Sequence, residues 1–494
     1  MSLRRSALTL VVLAACSGGG GKAKPADAAA PDVPPGCGDG VKAGVEQCDG
    51  TDLGGATCSS ATAAGWVGVI SCTSLCGLDI SGCNPPTTNW STLTTTSNWS
   101  TFDVSQLFPG AKGFASSAFD GKYLYLVPSN NGTADGVVTR FDTTAGFGSS
   151  SSWETFDIAT INASAKGFIG GAFDGRYVYF IPYNNGAYHG NIARYDTMGG
   201  FGTPSSWEVF DISTVDPMAR GYVRGTFDGR YLYLAPHYNG TYHGVTVRFD
   251  THGAFSDVAA WQAFDTGTVN AGSKGYLGAI YDGRYVYYAP YYNGTAYDGL
   301  VTRFDTQAAG GFADKTSWST FNAASVNANA VGFYSMAFDG TNIYFGQYYD
   351  GTAAVPAYGG FVVKYDTTAD FNTATSWKVF NSAALDPSAK GYVGAAFDGR
   401  YVFFASHYDG TNYTGQAVRY DTQGAGFNNA GAWSTFDAST LSGNAKGFHG
   451  MGFDGQYVYF IPNTSAAGTQ SGTIARFNTK SPAWLPLGWN VWFD

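Results

Sequence analysis

The sequence predicts an all-β protein, a seven-bladed β-propeller preceded by a small disulfide-rich N-terminal module. Three observations predict it. An aromatic-Asp-Gly triplet recurs seven times, at Phe119-Asp120-Gly121, Phe173-Asp174-Gly175, Phe227-Asp228-Gly229, Tyr281-Asp282-Gly283, Phe338-Asp339-Gly340, Phe397-Asp398-Gly399 and Phe453-Asp454-Gly455. Its aspartates are 54, 54, 54, 57, 59 and 56 residues apart, and a fixed period of this length marks a repeat architecture. Each repeat reads as four short strands with no helical period, the pattern of a propeller blade. Finally, six cysteines crowd into residues 37–83 while the repeats contain none.

The second repeat illustrates the elements in order. Phe168–Phe173 and Tyr177–Ile181 are runs of aromatic and β-branched residues on either side of Asp174-Gly175. Asp-Gly accepts the positive φ values of a two-residue turn, which predicts a hairpin. A Pro-Tyr-Asn-Asn-Gly loop leads to a third strand at Gly190–Tyr195. Asp196-Thr197 and a Gly-rich loop then lead to a fourth strand, from Trp207 to Asp211. Strands of this fourth kind begin at Trp99, Trp153, Trp207, Trp261, Trp318, Trp377 and Trp433, with one more candidate at Trp484. Either Trp99–Asp103 or a local strand at Trp484 can therefore complete the last blade. The short span from Asn478 to Trp484 favours Trp99–Asp103. Closure matters because an open ring leaves unpaired strand edges.

The order of these pieces resembles the kelch type of propeller repeat. Arg194-Tyr195-Asp196-Thr197 followed by Trp207 matches the second half of a kelch unit. The kelch double glycine after the second strand is absent, and Pro182-Tyr183-Asn184-Asn185-Gly186 stands there instead. The resemblance spans residues 99–479 as an architecture and implies no particular activity.

Ahead of the repeats, Arg4-Arg5 and the short apolar run Leu8–Ala15 read as an export signal over residues 1–15. Leu13-Ala14-Ala15-Cys16 resembles a bacterial lipobox, which implies a lipidated Cys16 and a membrane anchor at the outer membrane or cell surface. Ser17 fits outer-membrane sorting. The competing reading is an ordinary secretion signal with an incidental cysteine. Residues 16–36 are a flexible Gly/Ala/Pro tether. Cys37, Cys48, Cys58, Cys72, Cys76 and Cys83 form an even, dense set in an exported chain, expected as three disulfides out of 15 possible pairings. The spacing of Cys72 and Cys76 is poor for zinc. Cys37-Gly38-Asp39-Gly40 and Glu46-Gln47-Cys48-Asp49-Gly50 resemble the Myxococcus cysteine-rich repeat, a spacer module of exported proteins. Residues 84–98 read as a linker and 99–494 as the propeller.

A net charge of −10 with 13% charged residues argues against nucleic-acid binding. Aromatic residues make up 16% of the chain, with 33 Tyr and 35 Phe, and most are expected between blades. Propeller geometry sorts the loops onto two faces. On one face, a basic residue precedes Gly in six repeats, at Lys112, Lys166, Arg220, Lys274, Lys390 and Lys446, while the fifth repeat has Val331. Tyr183, His189, His237, Tyr238, His243, Tyr292, His407 and Tyr408 fall in the neighbouring loops of that face. Cations, aromatics and Asn-Gly turns around a channel suit a sugar or an acidic polymer. The alternative pairs each cation with the aspartate ending the preceding outer strand, Asp157 for Lys166. On the other face Arg176, Arg230, Arg284 and Arg400 are placed to reach Asp196, Asp250, Asp305 and Asp421 as scaffold.

No catalytic constellation stands out. The chain has three glutamates, Glu46, Glu154 and Glu208, and the last two lie in outer strands, away from a channel mouth. No cofactor or metal is expected, and the chain is expected to act as a monomer. These readings predict a surface-anchored binding propeller for an extracellular glycan or other polymer. The alternatives are a protein-interaction scaffold of the envelope and, behind it, a secreted hydrolase or other enzyme. The fifth repeat lacks the cation and carries an insertion at Thr352–Gly360, so asymmetric function is expected there first.

Overall fold

The structure, a computed structural model, describes residues 37–44, 46–62, 64–74, 76–351, 357–486 and 489. The export signal, Cys16, the tether and residues 352–356 of the fifth-repeat insertion lie outside the described residues. The described residues fall into two compact units, those of 37–88 with 482–486 and those of 89–481 with 489.

In the first unit three disulfides join Cys37 to Cys76, Cys48 to Cys72 and Cys58 to Cys83. Two-residue strands pair Val67–Gly68 with Cys83–Asn84 and Ser71–Cys72 with Leu78–Asp79. The two Asp-Gly motifs explain each other: Asp49 Oδ2 accepts from the backbone N–H of Gly38 and Asp39, at 2.8 and 3.0 Å. Trp484 packs here, edge-on to Trp66 at 6.4 Å, with Nε1 donating to Thr88 Oγ1. It therefore closes no blade.

The second unit is a seven-bladed propeller of four-stranded antiparallel sheets. We label the strands of each blade a to d from the channel outward. In blade two these are Phe168–Phe173, Tyr177–Pro182, Asn191–Asp196 and Trp207–Asp211. Blade seven takes strands a to c from Phe448–Phe453, Tyr457–Pro462 and Thr473–Asn478, and strand d from Trp99–Asp103 at the other end of the unit. Residues 89–98, read as linker from the sequence, belong to this unit. Asn89–Trp90 pairs with Lys480–Ser481, and buried Leu93 accepts from Trp99 Nε1 at 2.7 Å.

Repeated aromatic contacts join the blades. The Phe of each strand d stacks on the Trp of the next blade, as Phe156 does on Trp207 at 4.5 Å and 8°. Strand-c arginines are clamped between rings of two blades; the Arg194 guanidinium lies 3.9 Å from the Tyr177 centroid and 4.3 Å from that of Phe255. Such contacts are worth about 1–2 kcal/mol each where water is excluded.

The Asp-Gly turn differs from the expected two-residue form. Three residues connect strands a and b, with Gly175 at φ 99°. Asp174 Oδ1 accepts from the N–H of Arg176 and Tyr177, and Oδ2 accepts from the Tyr179 hydroxyl at 2.7 Å. The aspartate thus satisfies the loop and holds a buried tyrosine. Five other blades repeat the hydroxyl bond. Blade six has Phe403 at that position, and Asp398 is met instead by Thr479 Oγ1 and Lys480. The scaffold pairs Arg176–Asp196, Arg230–Asp250, Arg284–Asp305 and Arg400–Asp421 form at 2.6–2.7 Å.

Candidate functional site

The two loop types of the other face, between strands d and a (da) and between b and c (bc), are built against each other. Each da loop ends in a glycine with φ between 63° and 70°. A Cβ on Gly167 would lie 1.8 Å from the Asn184 carbonyl oxygen, so only glycine lets the bc loop approach. The bc loops fold back as small hairpins, with bridges such as Asn184 to Tyr188 and Tyr238 to Tyr242. Their tyrosines lean over the glycine of the following blade. A Cβ on Gly275 would meet Tyr242 Cδ1 at 3.0 Å.

This packing produces a continuous arc of tyrosines. Tyr188, Tyr238, Tyr242, Tyr292 and Tyr297 follow one another with centroids 4.8–4.9 Å apart. Tyr349, Tyr358, Tyr408 and Tyr413 continue it at 4.6–5.2 Å. All nine rings are half-buried. A second arc, Tyr183, His237, Tyr291, Tyr348, His407 and His449, runs inside it at 5.3–6.4 Å. Its tyrosines pack on the channel residues Ile169, Val223, Leu277, Tyr334 and Val393. Rungs such as Tyr183–Tyr188 and His407–Tyr413, 5.3 and 5.2 Å apart, brace the two arcs together.

The outer arc runs only through blades two to six, and the inner arc ends on His449 in the first strand of blade seven; the bc hairpins of blades seven and one add no ring to either. The counterparts of Tyr183 there are Asn463 and Ser129, and the counterparts of Tyr238 are Thr464 and Asn130. The aromatic pattern therefore breaks in these blades, while blade five, singled out in the sequence, keeps Tyr348, Tyr349 and Tyr358. Where the arc meets blade seven lies a cleft of about 360 Å³, lined by Tyr348, Tyr358, His407, Tyr408, Gly410, Tyr413 and Ala467.

The predicted site residues divide. Tyr183, His237, Tyr238, Tyr292, His407 and Tyr408 come together in the arcs. His189 and His243 do not: they are buried pins, with Nε2 2.8 and 3.0 Å from the carbonyl oxygens of Lys166 and Arg220. Nε2 must carry the proton to donate there. Burial depresses these histidines to about 4, His407 to about 4, and His237 and His449 to about 3, so all five rings are neutral near pH 7. Among the described residues Lys112, Lys166, Arg220, Lys274, Lys390 and Lys446 form no ion pair and stack on no ring. The aspartates proposed as their partners cap the next turn instead, Asp157 Oδ1 accepting from Ala159 N at 2.9 Å.

Arg224, His449 and Tyr334 escaped the sequence reading. Each strand a has a bulge near its second residue, where the ladder slips, as between Phe168 and Gly170. Bulges re-aim side chains and free backbone groups. Tyr334 and His449 occupy that second position. At the third position the seven blades hold Ser116, Gly170, Arg224, Gly278, Ser335, Gly394 and Gly450. Six small residues thus make room for one buried arginine. Its guanidinium donates to the carbonyls of Tyr334, Val393 and His449, at 3.3, 2.9 and 3.2 Å, and spans the channel beneath the arcs. Aligning the repeats by column would have exposed it, since it is the only charge in a column of Gly and Ser.

No known protein family matches this chain, and neither does any curated protein. Among solved structures, the hydrazine synthase of Kuenenia stuttgartiensis is similar at 12% identity and a TM-score of 0.48, over 75% of this chain and 96% of that one. The computationally designed protein Ika8 is similar at 11% identity and a TM-score of 0.42, over 74% and 96%. Likenesses this slight carry no argument, and the fold rests on its own strand pairing.

Proposed function

We propose that this chain is an exported, surface-anchored binding protein whose propeller holds an extracellular glycan on the tyrosine arc. One observation carries this reading: nine half-buried rings succeed one another at 4.6–5.2 Å across five blades. Flat ring faces with a hydroxyl at the edge suit the apolar face and rim hydroxyls of a sugar. Contacts repeated along one chain add through effective concentration, so weak individual sites give firm retention. The neutral histidines, and the lack among the described residues of any cation stacked on the arc rings, favour a neutral glycan over an acidic polymer.

The three disulfides support an oxidising location outside the cytoplasm. The lipobox-like Leu13–Cys16 and the likeness of residues 37–50 to the Myxococcus cysteine-rich repeat support lipid anchoring at the outer membrane or cell surface. The deciding experiment presents full-length protein in mild detergent to an array of neutral and acidic polysaccharides. Binding to a neutral polysaccharide is expected. It should be lost in a Tyr238→Ala, Tyr292→Ala, Tyr349→Ala triple variant with an unchanged circular dichroism spectrum. A blank array overturns the reading, and recovery of one stoichiometric protein from the cell surface would then favour partner docking.

A further inference from the structure

Resting on the glycan reading above, we infer that the arc takes a neutral glycan whose backbone curves, and that the cleft at its blade-six end seats the terminal sugar. The first argument is the path. The tyrosines sit on consecutive blades of a closed ring, so a chain that follows them must bend around the channel. A flat β-1,4-linked ribbon can lie along only part of such a path. Chains with α-1,4 or β-1,3 links curve by their own geometry and can keep contact from blade to blade without strain. A ligand already shaped for its site retains more of its contact energy.

The second argument is the break in symmetry. A ring of identical hairpins would let a chain pass indefinitely, but this arc ends. Past Tyr413 the next hairpin pairs Thr464–Ala466 with Thr469–Gln470 and carries no aromatic ring. Ala467 at its tip forms part of the cleft wall. The cleft, about 360 Å³, lies at the small end of the range for ligand sites, the size of one or two sugar units.

The third argument is the chemistry inside. His407 Nδ1 lies 3.1 Å from the Phe448 carbonyl oxygen. It must hold the ring proton to donate there, which leaves Nε2 as an acceptor. The Tyr408 hydroxyl donates to the Thr411 carbonyl at 3.1 Å, leaving its lone pairs to accept. Acceptors set among tyrosine faces match the hydroxyl donors and apolar face of an uncharged sugar. None of the cleft residues carries a charge.

Titration calorimetry of the full-length protein with maltoheptaose, laminarihexaose and cellohexaose tests this. One or both of the curved probes, the α-1,4 heptamer and the β-1,3 hexamer, should bind at least tenfold tighter than the flat β-1,4 hexamer. Ala467→Trp, which fills the cleft from an exposed hairpin tip, should weaken that binding at least tenfold, and His407→Gln, which keeps an acceptor, should weaken it less than His407→Phe, which keeps none. Equal or tighter binding of cellohexaose overturns the curvature while leaving glycan binding intact. A bound sugar indifferent to Ala467→Trp overturns the seat for the chain end. If no probe binds while the array is positive for an acidic polysaccharide, the neutral class is wrong. A blank array removes the underlying reading itself.

Discussion

One position in the bc hairpins shows how single residues tune this propeller. Blades two and three place His189 and His243 there, each donating to a da-loop carbonyl. Blades one and four place Asp135 and Asp298 there, each with a buried Oδ2 that finds no partner. A carboxylate cannot donate, and burial pushes both groups up to about 6. The folded state thus holds these protons more tightly than the unfolded chain. The resulting stability is present below the ordinary carboxylate value of 3.8 and is lost as pH rises through about 6. Asp135→Asn and Asp298→Asn, which supply a donor of the same shape, should raise the thermal midpoint at pH 7 and change little at pH 4. Calorimetry at the two pH values checks this. Five histidines, His189, His237, His243 and His407 buried and His449 half-buried, act in the opposite sense. Depressed from 6.5 to about 3–4, they favour the fold above pH 6.5 and lose that contribution as pH falls toward 4. Being more numerous, they should dominate, so wild-type stability should fall steeply between pH 6.5 and 4. A midpoint that rises over that range would contradict the assignment.

At the scale of elements, the sequence reading was strongest where one pattern repeats. Strand boundaries in blade two fall within a residue or so of those expected, because alternating aromatic and β-branched runs ended by Gly and Asp leave few alternatives. What periodicity could not show was which partner each polar group would choose. Asp174 looked like turn chemistry alone, yet it also carries the Tyr179 hydroxyl from three residues beyond the turn. The da-loop cations drew attention for their charge, whereas the adjoining glycine is the constrained residue, its φ near 68° and its Cβ position blocked by a carbonyl. Tyr233→Phe should leave Asp228 Oδ2 without its 2.8 Å donor and cost about 1–3 kcal/mol in urea unfolding. Blade six gives the control, since Phe403 stands there naturally and Thr479 serves Asp398. Thr479→Val should destabilise by a similar amount, while Phe403→Tyr should bring no comparable gain. Gly221→Ala should fail more severely, because the new Cβ would lie 1.8 Å from the Tyr238 carbonyl oxygen.

For the whole molecule, ring closure was legible and the break in the ring was not. Trp99–Asp103 was identifiable as a fourth strand with no blade of its own, and it completes blade seven against Thr473–Asn478. Deleting residues 99–103 should expose that edge and produce aggregation at micromolar concentration, visible by light scattering. Seven near-identical units drew the eye to the one with an insertion, blade five. The arcs instead break at the bc hairpins of blades seven and one, where Asn463 and Ser129 replace rings. That gap appears only when neighbouring hairpins are seen to touch, because a missing tyrosine means little until its neighbours prove continuous. The central claim is that the tyrosine arc binds a glycan, and the polysaccharide array with the Tyr238→Ala, Tyr292→Ala, Tyr349→Ala variant tests it most directly. Binding of wild type to a neutral polysaccharide, abolished in the folded triple variant, is the predicted result. A blank array, or binding that the triple variant retains, would contradict it.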